Sequence, residues 1–249
     1  MSHRPAILGV PFSNCTKEEA LSQLEELVAT ARRTGRAAFA AFINAHCLNI
    51  ACRDGEYRDI LRKEADVVWP DGAGIRLAGR ILHFPVPDNV NGTDLFPLIC
   101  RRPYRIYLLG AAPGVAPRAM ERAAVEFPAA QFVGASHGYF SAEHPVEEAI
   151  AKINESDPDL LLVALGVPAQ EKWIAAHRRE LKCGVAIAVG GLLDFISGRI
   201  PRAPRWMRDH GLEWLYRLYQ EPCRLFRRYV LGNPLFLLRV LREARQQKR

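Results

Sequence analysis

The run Leu160-Leu161-Leu162-Val163-Ala164-Leu165 carries no polar residue at alternate positions, and it stops at Gly166-Val167-Pro168 before the polar, helix-forming Ala169-Gln170-Glu171-Lys172-Trp173. A strand with one wet face alternates in polarity. A short, unbroken apolar run suits a strand covered on both faces of a parallel sheet. Gly166 and Pro168 end that strand and open a helix near Ala169. The same order of apolar run, turn and helix recurs at residues 37–43 before Asn44, 65–69 before Pro70-Asp71-Gly72, and 105–109 before Gly110. It returns at 131–135 before Gly138-Tyr139-Phe140, and at 184–189 before Gly190-Gly191. Repetition of this unit predicts an α/β fold, a Rossmann-like doubly wound and mostly parallel sheet.

Ligands of such sheets bind beyond the C-terminal strand ends, which singles out the residues just past each run. Asn44 either caps the next helix or reaches into a cleft. Asp71, set between Pro70 and Gly72, is either a turn residue or a carboxylate projected over the sheet edge. Gly110 stands in a glycine turn that is either tight or open to phosphate. Gln170 and Glu171 are either a solvated helix start or ligand contacts. Gly190 and Gly191 permit close backbone approach, and Asp194 either caps its loop or accepts from a ribose or base. Asp157-Pro158-Asp159 has the form of a metal-binding pair but precedes its strand, at the wrong end of the sheet, and reads as a turn. The G-x-G-x-x-G fingerprint is absent, which argues against a nicotinamide-dependent oxidoreductase.

The tail constrains the partners. From Arg199 onward there are 13 Lys/Arg against 4 Asp/Glu, a net of +9, while residues 1–198 carry 21 against 23, a net of −2. The expected organisation is therefore a catalytic body, 1–198, and a basic amphipathic helical appendage, 199–249, whose removal near Arg199 would leave a folded body. If a helix starts after Pro222, then Arg224, Arg227 and Arg228 share one face. Leu225, Phe226 and Tyr229, with residues 235–238, Val240 and Leu241, form an apolar side edged by Arg239, Arg242 and Arg245. Such a segment either lies in a lipid headgroup layer or packs on the body with its arginines solvated. A regulatory nucleotide-binding body with a nucleic-acid-binding tail is the rival reading. Against it, the tail's aromatics come with leucines at helical spacing.

With 49% hydrophobic and 24% charged residues the composition is that of a soluble globular protein. No apolar run approaches the roughly 18 residues of a membrane span. The start of the chain has no signal-peptide pattern, which predicts a cytoplasmic location. Six scattered cysteines form no metal-ligand pattern, so free thiols and no metal are expected.

Taken together, Asn44, Pro70-Asp71-Gly72-Ala73-Gly74, Gly92-Thr93-Asp94-Leu95, Gly138-Tyr139-Phe140, Gly166 to Trp173, and Gly190-Gly191 with Asp194 form an ordered series. The tail adds Arg202-Ala203-Pro204-Arg205-Trp206, Gly211-Leu212-Glu213-Trp214-Leu215-Tyr216-Arg217-Leu218 and Glu221-Pro222-Cys223-Arg224-Leu225-Phe226-Arg227-Arg228-Tyr229. Over nearly the whole chain this series resembles the WecG/TagA/CpsF glycosyltransferases. The resemblance implies an inverting enzyme that moves a sugar from a UDP-sugar to a polyprenyl-diphosphate-linked saccharide, without a metal or other cofactor. It places the work at the inner face of the cytoplasmic membrane, with an anionic membrane surface and no nucleic acid as partner; a homo-oligomer is left open. It implies Asp71 as general base. Asn44, Gly110, Tyr139, Gly166, Gln170, Glu171, Gly190, Gly191 and Asp194 become the substrate and nucleotide pocket. Arg202, Arg217, Arg224, Arg227 and Arg228 become the cations for the diphosphate and acceptor. Two positions depart from the family pattern: Phe42 replaces a usual Thr, and Asn89 a usual Arg.

Overall fold

The structure, a computed structural model, describes residues 4–247; Lys248 and Arg249, counted above in the basic tail, lie outside the described residues. Six strands form one all-parallel sheet: β3 (Ala38–Ile43), β4 (Val67–Pro70), β5 (Arg105–Gly110), β6 (Gln131–Ser136), β7 (Leu160–Ala164) and β8 (Val185–Ala188). Their order across the sheet is β4-β3-β8-β7-β5-β6. Leu8, with φ of 52°, turns the chain so that β1 (Ala6–Ile7) pairs antiparallel with β2 (Val10–Pro11) as a small separate hairpin.

Helices cover both faces, as the unbroken apolar runs require. On one side α1 (Lys17–Thr34), α5 (Gly92–Ile99), α6 (Val115–Glu126) and α9 (Leu192–Ile196) pack over Ala40, Phe42, Leu160 and Leu162. On the other, α2 (Ala45–Ala51), α3 (Gly55–Asp59), α4 (Ala73–Ile81), α7 (Val146–Ser156) and α8 (Ala169–His177) pack over Phe39, Ala41, Leu161 and Val163. Odd and even residues of β3, β4, β5, β7 and β8 thus serve different cores. Local chemistry sets the helix ends. Thr16 Oγ1 accepts from the Glu19 backbone N–H while Glu19 accepts from that of Thr16, a reciprocal cap, and Gly35 closes α1 in the left-handed conformation.

The tail does not stand off from the body. After α10 (Arg205–Asp209), α11 (Glu213–Gln220), α12 (Pro222–Phe226) and a wide π-type turn (Arg227–Leu231), helix α13 (Gly232–Gln247) runs back across α2 and α4. Its Phe236 and Val240, 1% and 0% exposed, belong to the same core as Phe39 and Val163. Asn49 Nδ2 donates to the Gly232 carbonyl at 2.7 Å, Arg239 Nη1 donates to Asn49 Oδ1 at 2.7 Å, and the Leu8 N–H donates to Glu243 at 2.9 Å. Only part of the apolar side expected to face lipid is therefore free. Leu225, Phe236 and Val240 are buried, whereas Phe226, Leu231, Leu238 and Leu241 are exposed. No described helix is long and apolar enough to cross a membrane.

Asp157 and Asp159 sit at the N-terminal end of the sheet. Both pair with Arg32, and Asp159 Oδ2 also accepts from the Arg105 backbone N–H at 2.9 Å. They brace the chain far from the C-terminal strand ends, as the turn reading expects.

Candidate active site

The C-terminal ends of the central strands open into a cleft of about 1280 Å³, larger than a site for one small ligand needs. Ile43 and Pro70 are paired in register, so the residues that follow them, Asn44 and Asp71, leave adjacent strands side by side. Asn44 both caps α2 and borders the cleft. Its Oδ1 accepts from the backbone N–H groups of His46 and Cys47 and caps α2, and its Nδ2 donates to Asp71 Oδ2 at 3.1 Å. Asp71 is partly exposed and borders the cleft. Burial pushes its carboxyl above the ordinary range, while the Asn44 N–H and the charges of Arg228 and Arg217 pull it back. Burial, followed by the charge of Arg228, holds the nearby His46 down to about 4, so this imidazole is neutral at pH 7.

The two departures from the family pattern both have structural work. Phe42 borders the cleft, and its ring lies 5.4 Å from that of Trp69. Asn89 Oδ1 accepts from the Gly72 backbone N–H at 2.5 Å, which fixes the turn carrying Asp71 but brings no positive charge.

Opposite Asp71 the wall is made by Gly166, Gln170, Gly190, Gly191 and Asp194, with Tyr139 at the rim. Phe140 stacks on Trp173 of α8 at 6.1 Å and ties the rim loop to the sheet layer. Asp194 opens α9 and meets Arg199 at 3.2 Å.

The chain after 198 forms the remaining side. Arg199, Arg208, Arg217, Arg224 and Arg228 border the cleft. Among the described residues, buried Nε atoms without a hydrogen-bond partner belong to Arg208, Arg217 and Arg228 at the cleft and to Arg58 and Arg202 away from it. Desolvated guanidinium nitrogens left unpaired are costly unless an anion meets them. Glu213 also borders the cleft; burial pushes it up, Arg202 pulls against this, and the charge of Asp71 adds to it. Trp214, Leu77, Val230 and Leu237 make one edge of the cleft apolar.

Four expected residues stand elsewhere. Gly110 is packed against β7: a Cβ there would lie 2.4 Å from the Ala164 carbonyl oxygen, so its role is strand spacing, and Ala111 and Ala112 border the cleft in its place. Glu171 is fully buried beneath Gln170 and is sealed from the cleft. Arg202 does not border the cleft; it is clasped by Asp94, with Glu213 at 3.9 Å. Arg227 faces solvent because the wide turn breaks the spacing on which the shared face depended; only Arg224 and Arg228 reach the cleft. Sequence pattern alone does not mark Arg199, Arg208, Glu213 or His46 as cleft residues. Glu213 stood in the quoted tail motif without a role, and the others show no pattern before the chain folds.

A profile of the family described as "Glycosyl transferase WecG/TagA/CpsF family" matches residues 5–249. A protein of Bacillus subtilis (strain 168) named N-acetylglucosaminyldiphosphoundecaprenol N-acetyl-beta-D-mannosaminyltransferase is 33% identical over 83% of this chain and 80% of its own. Relatives with the same name are 32% identical in Bacillus spizizenii, over 91% of this chain and 88% of theirs, and 27% identical in Staphylococcus aureus (strain MW2), over 98% and 94%.

Proposed function

Because this chain belongs to the WecG/TagA/CpsF glycosyltransferase family, we propose that it moves a sugar from a UDP-sugar to a polyprenyl-diphosphate-linked saccharide, with inversion, at the inner face of the cytoplasmic membrane. One observation carries the reading. Asp71, positioned by Asn44, shares one cleft with Arg208, Arg217, Arg224 and Arg228.

In this reading Asp71 takes the proton of the acceptor hydroxyl as that oxygen bonds to the anomeric carbon. The bond from that carbon to the UDP oxygen breaks, and the electron pair leaves with UDP. Charge growing on the diphosphate is met by Arg217, Arg224 and Arg228, with Arg208 beside them, so the proposal requires no metal. A single displacement inverts the anomeric centre, and the β configuration in the relatives' names is the product it would form from an α-linked nucleotide sugar. Residues before 199 hold the donor and the base, and the segment from 199 supplies cations and the lipid-facing edge. On that segment Phe226, Leu231 and Leu238 are 51%, 58% and 54% exposed, and Arg227, Arg242 and Arg245 are exposed as well. Apolar residues interleaved with arginines suit an anionic headgroup layer.

The relatives' names make N-acetylmannosamine the first donor sugar to try and diphosphate-linked N-acetylglucosamine the first acceptor. Purified protein would be mixed with a panel of UDP-sugars and a short polyprenyl-diphosphate N-acetylglucosamine, reading UDP release, product mass and anomeric configuration. Asp71→Asn is expected to lower the rate by roughly 10² to 10⁴. Transfer from none of the donors, or an undiminished rate in Asp71→Asn, would overturn the reading.

A further inference from the structure

Gln170 and Glu171 are adjacent in the first turn of α8, 2% and 0% exposed, and only Gln170 borders the cleft. The Gly190 backbone N–H donates to Gln170 Oε1 at 2.9 Å, and Gln170 Nε2 donates to Glu171 Oε1 at 3.0 Å. These two bonds settle which end of the amide is which. A backbone N–H can only donate, so the oxygen of Gln170 must face Gly190 and its nitrogen must face Glu171. After both bonds, the amide has one N–H left. The same bonds hold Gly190, at φ of 59°, in the loop that leads to Gly191 and Asp194 on the cleft wall.

We propose that Glu171 is a positioning residue: by accepting one N–H of Gln170 it fixes that amide so that Gln170 presents an N–H, not a carbonyl, to the ligand. Gln170 then selects an acceptor oxygen on the sugar nucleotide, such as a hydroxyl, an acetyl carbonyl or a phosphate oxygen. This rests on the cleft being the sugar-nucleotide site, but the hydrogen-bond relay does not. Glu171 Oε2 is buried without a hydrogen-bond partner among the described residues, as are Trp173 Nε1 on the same helix and the Tyr57 hydroxyl. The titratable groups facing Glu171 are Cys47 of α2 and Tyr57 of α3. Burial pushes the Cys47 thiol up to about 12 and the Tyr57 hydroxyl well above its usual range, and the charge of Glu171 adds to both. Neither competes for a proton near neutral pH. Glu171 itself is pushed up to about 7 by burial, against the pull of the Gln170 N–H.

Two arms test the proposal on the full chain. In the first, ¹⁵N spectra follow the Gly190 backbone amide and the Gln170 side-chain amide from pH 5 to 9. Both are expected to titrate together in the wild type and to be flat in Glu171→Gln. Signals that do not titrate in the wild type, or still titrate in Glu171→Gln, would overturn the relay whether or not the protein binds a UDP-sugar. In the second, calorimetry measures UDP-N-acetylmannosamine binding. Glu171→Leu, which removes the acceptor, should weaken it about tenfold, and Glu171→Gln, which keeps an acceptor oxygen, should restore most of that. Thermal unfolding checks that both variants fold; wild-type affinity in folded Glu171→Leu, or equal losses in the two variants, would overturn the positioning role. A wild type that binds no UDP-sugar counts against the proposed function, and the first arm alone then decides the relay.

Discussion

Asn44 Nδ2 lies 3.1 Å from Asp71 Oδ2 because the strands that precede them end in register, Ile43 beside Pro70. The contact makes the basicity of Asp71 adjustable from Asn44. Asn44→Ala removes the N–H that holds the Asp71 carboxyl down, so its pKa rises further. In the proposed reaction Asp71 must be ionised to take the proton, so the acid limb of kcat/KM should move to higher pH. Loss of the α2 cap should also cost about 1 kcal/mol of stability. Asn44→Asp keeps a cap oxygen but sets a like charge against Asp71, and should shift the limb with less loss of stability. pH–rate profiles with thermal unfolding check both variants; unmoved acid limbs would show that the contact has no bearing on the base.

Arg217 borders the cleft with its Nε buried and unpaired and its Cζ 5.1 Å from the centroid of the Phe195 ring. Arg217→Ala should lower kcat/KM roughly 10²-fold, the scale of losing one fixed donor to developing charge. Arg217→Lys should recover little, because an ammonium cannot both stack and present a planar fork. A chelator should leave the wild-type rate unchanged. Loss of activity with EDTA, restored by a divalent cation, would show that arginines alone do not meet the leaving charge.

Phe236 of α13 is 1% exposed in the core under β3 and β7. Phe236→Ala should destabilise the protein by about 3 to 5 kcal/mol. Deletion from Gly232 should do more, since it also strips Asn49 and Leu8 of their partners. Denaturant unfolding measures both. A cooperative, wild-type-like transition in the deletion variant would mean that the body stands alone after all.

Leu231 and Leu238 are exposed apolar residues on the proposed lipid-facing edge. The double change Leu231→Glu and Leu238→Glu should abolish co-sedimentation with phosphatidylglycerol vesicles while sparing turnover of a short, water-soluble acceptor. Retained sedimentation would place membrane contact on another surface.

Glu171 has a folded-state pKa of about 7 against an ordinary 4.5. The folded protein therefore holds a proton there more tightly than the unfolded chain does. Its contribution is fully present below pH 4.5 and is lost as the pH rises toward 7, by an amount on the order of 3 kcal/mol. Glu171→Gln should remove this slope, so the difference in unfolding free energy between variant and wild type should grow in the variant's favour from pH 5 to 8. His46, held down to about 4, slopes the opposite way below pH 6.5, so the comparison must be of differences.

Much of this was legible before folding because it is local. Apolar runs without alternation announce strands buried on both faces, and Thr16 with Glu19 announces a capped helix. The motif order pointed to the family that the profile match bears out. Asn44 and Asp71 followed from the rule that ligands meet strand ends, although nothing in 27 residues of separation shows that they touch.

The stretch from Leu160 to Trp173 marks the limit of what sequence carries. By itself it determined a buried strand, a turn and a helix start, since those depend on hydrophobic pattern and on the backbone preferences of Gly166 and Pro168. Only the tertiary structure decided that Gln170, held by the Gly190 N–H from the loop 20 residues on, meets the cleft while Glu171 is sealed beneath it. It likewise decided that Arg202 is spent on Asp94, that Arg227 turns away, and that Phe236 closes the core. Burial and pairing between distant segments depend on how the sheet brings them together, and side-chain order along the chain does not encode that distance.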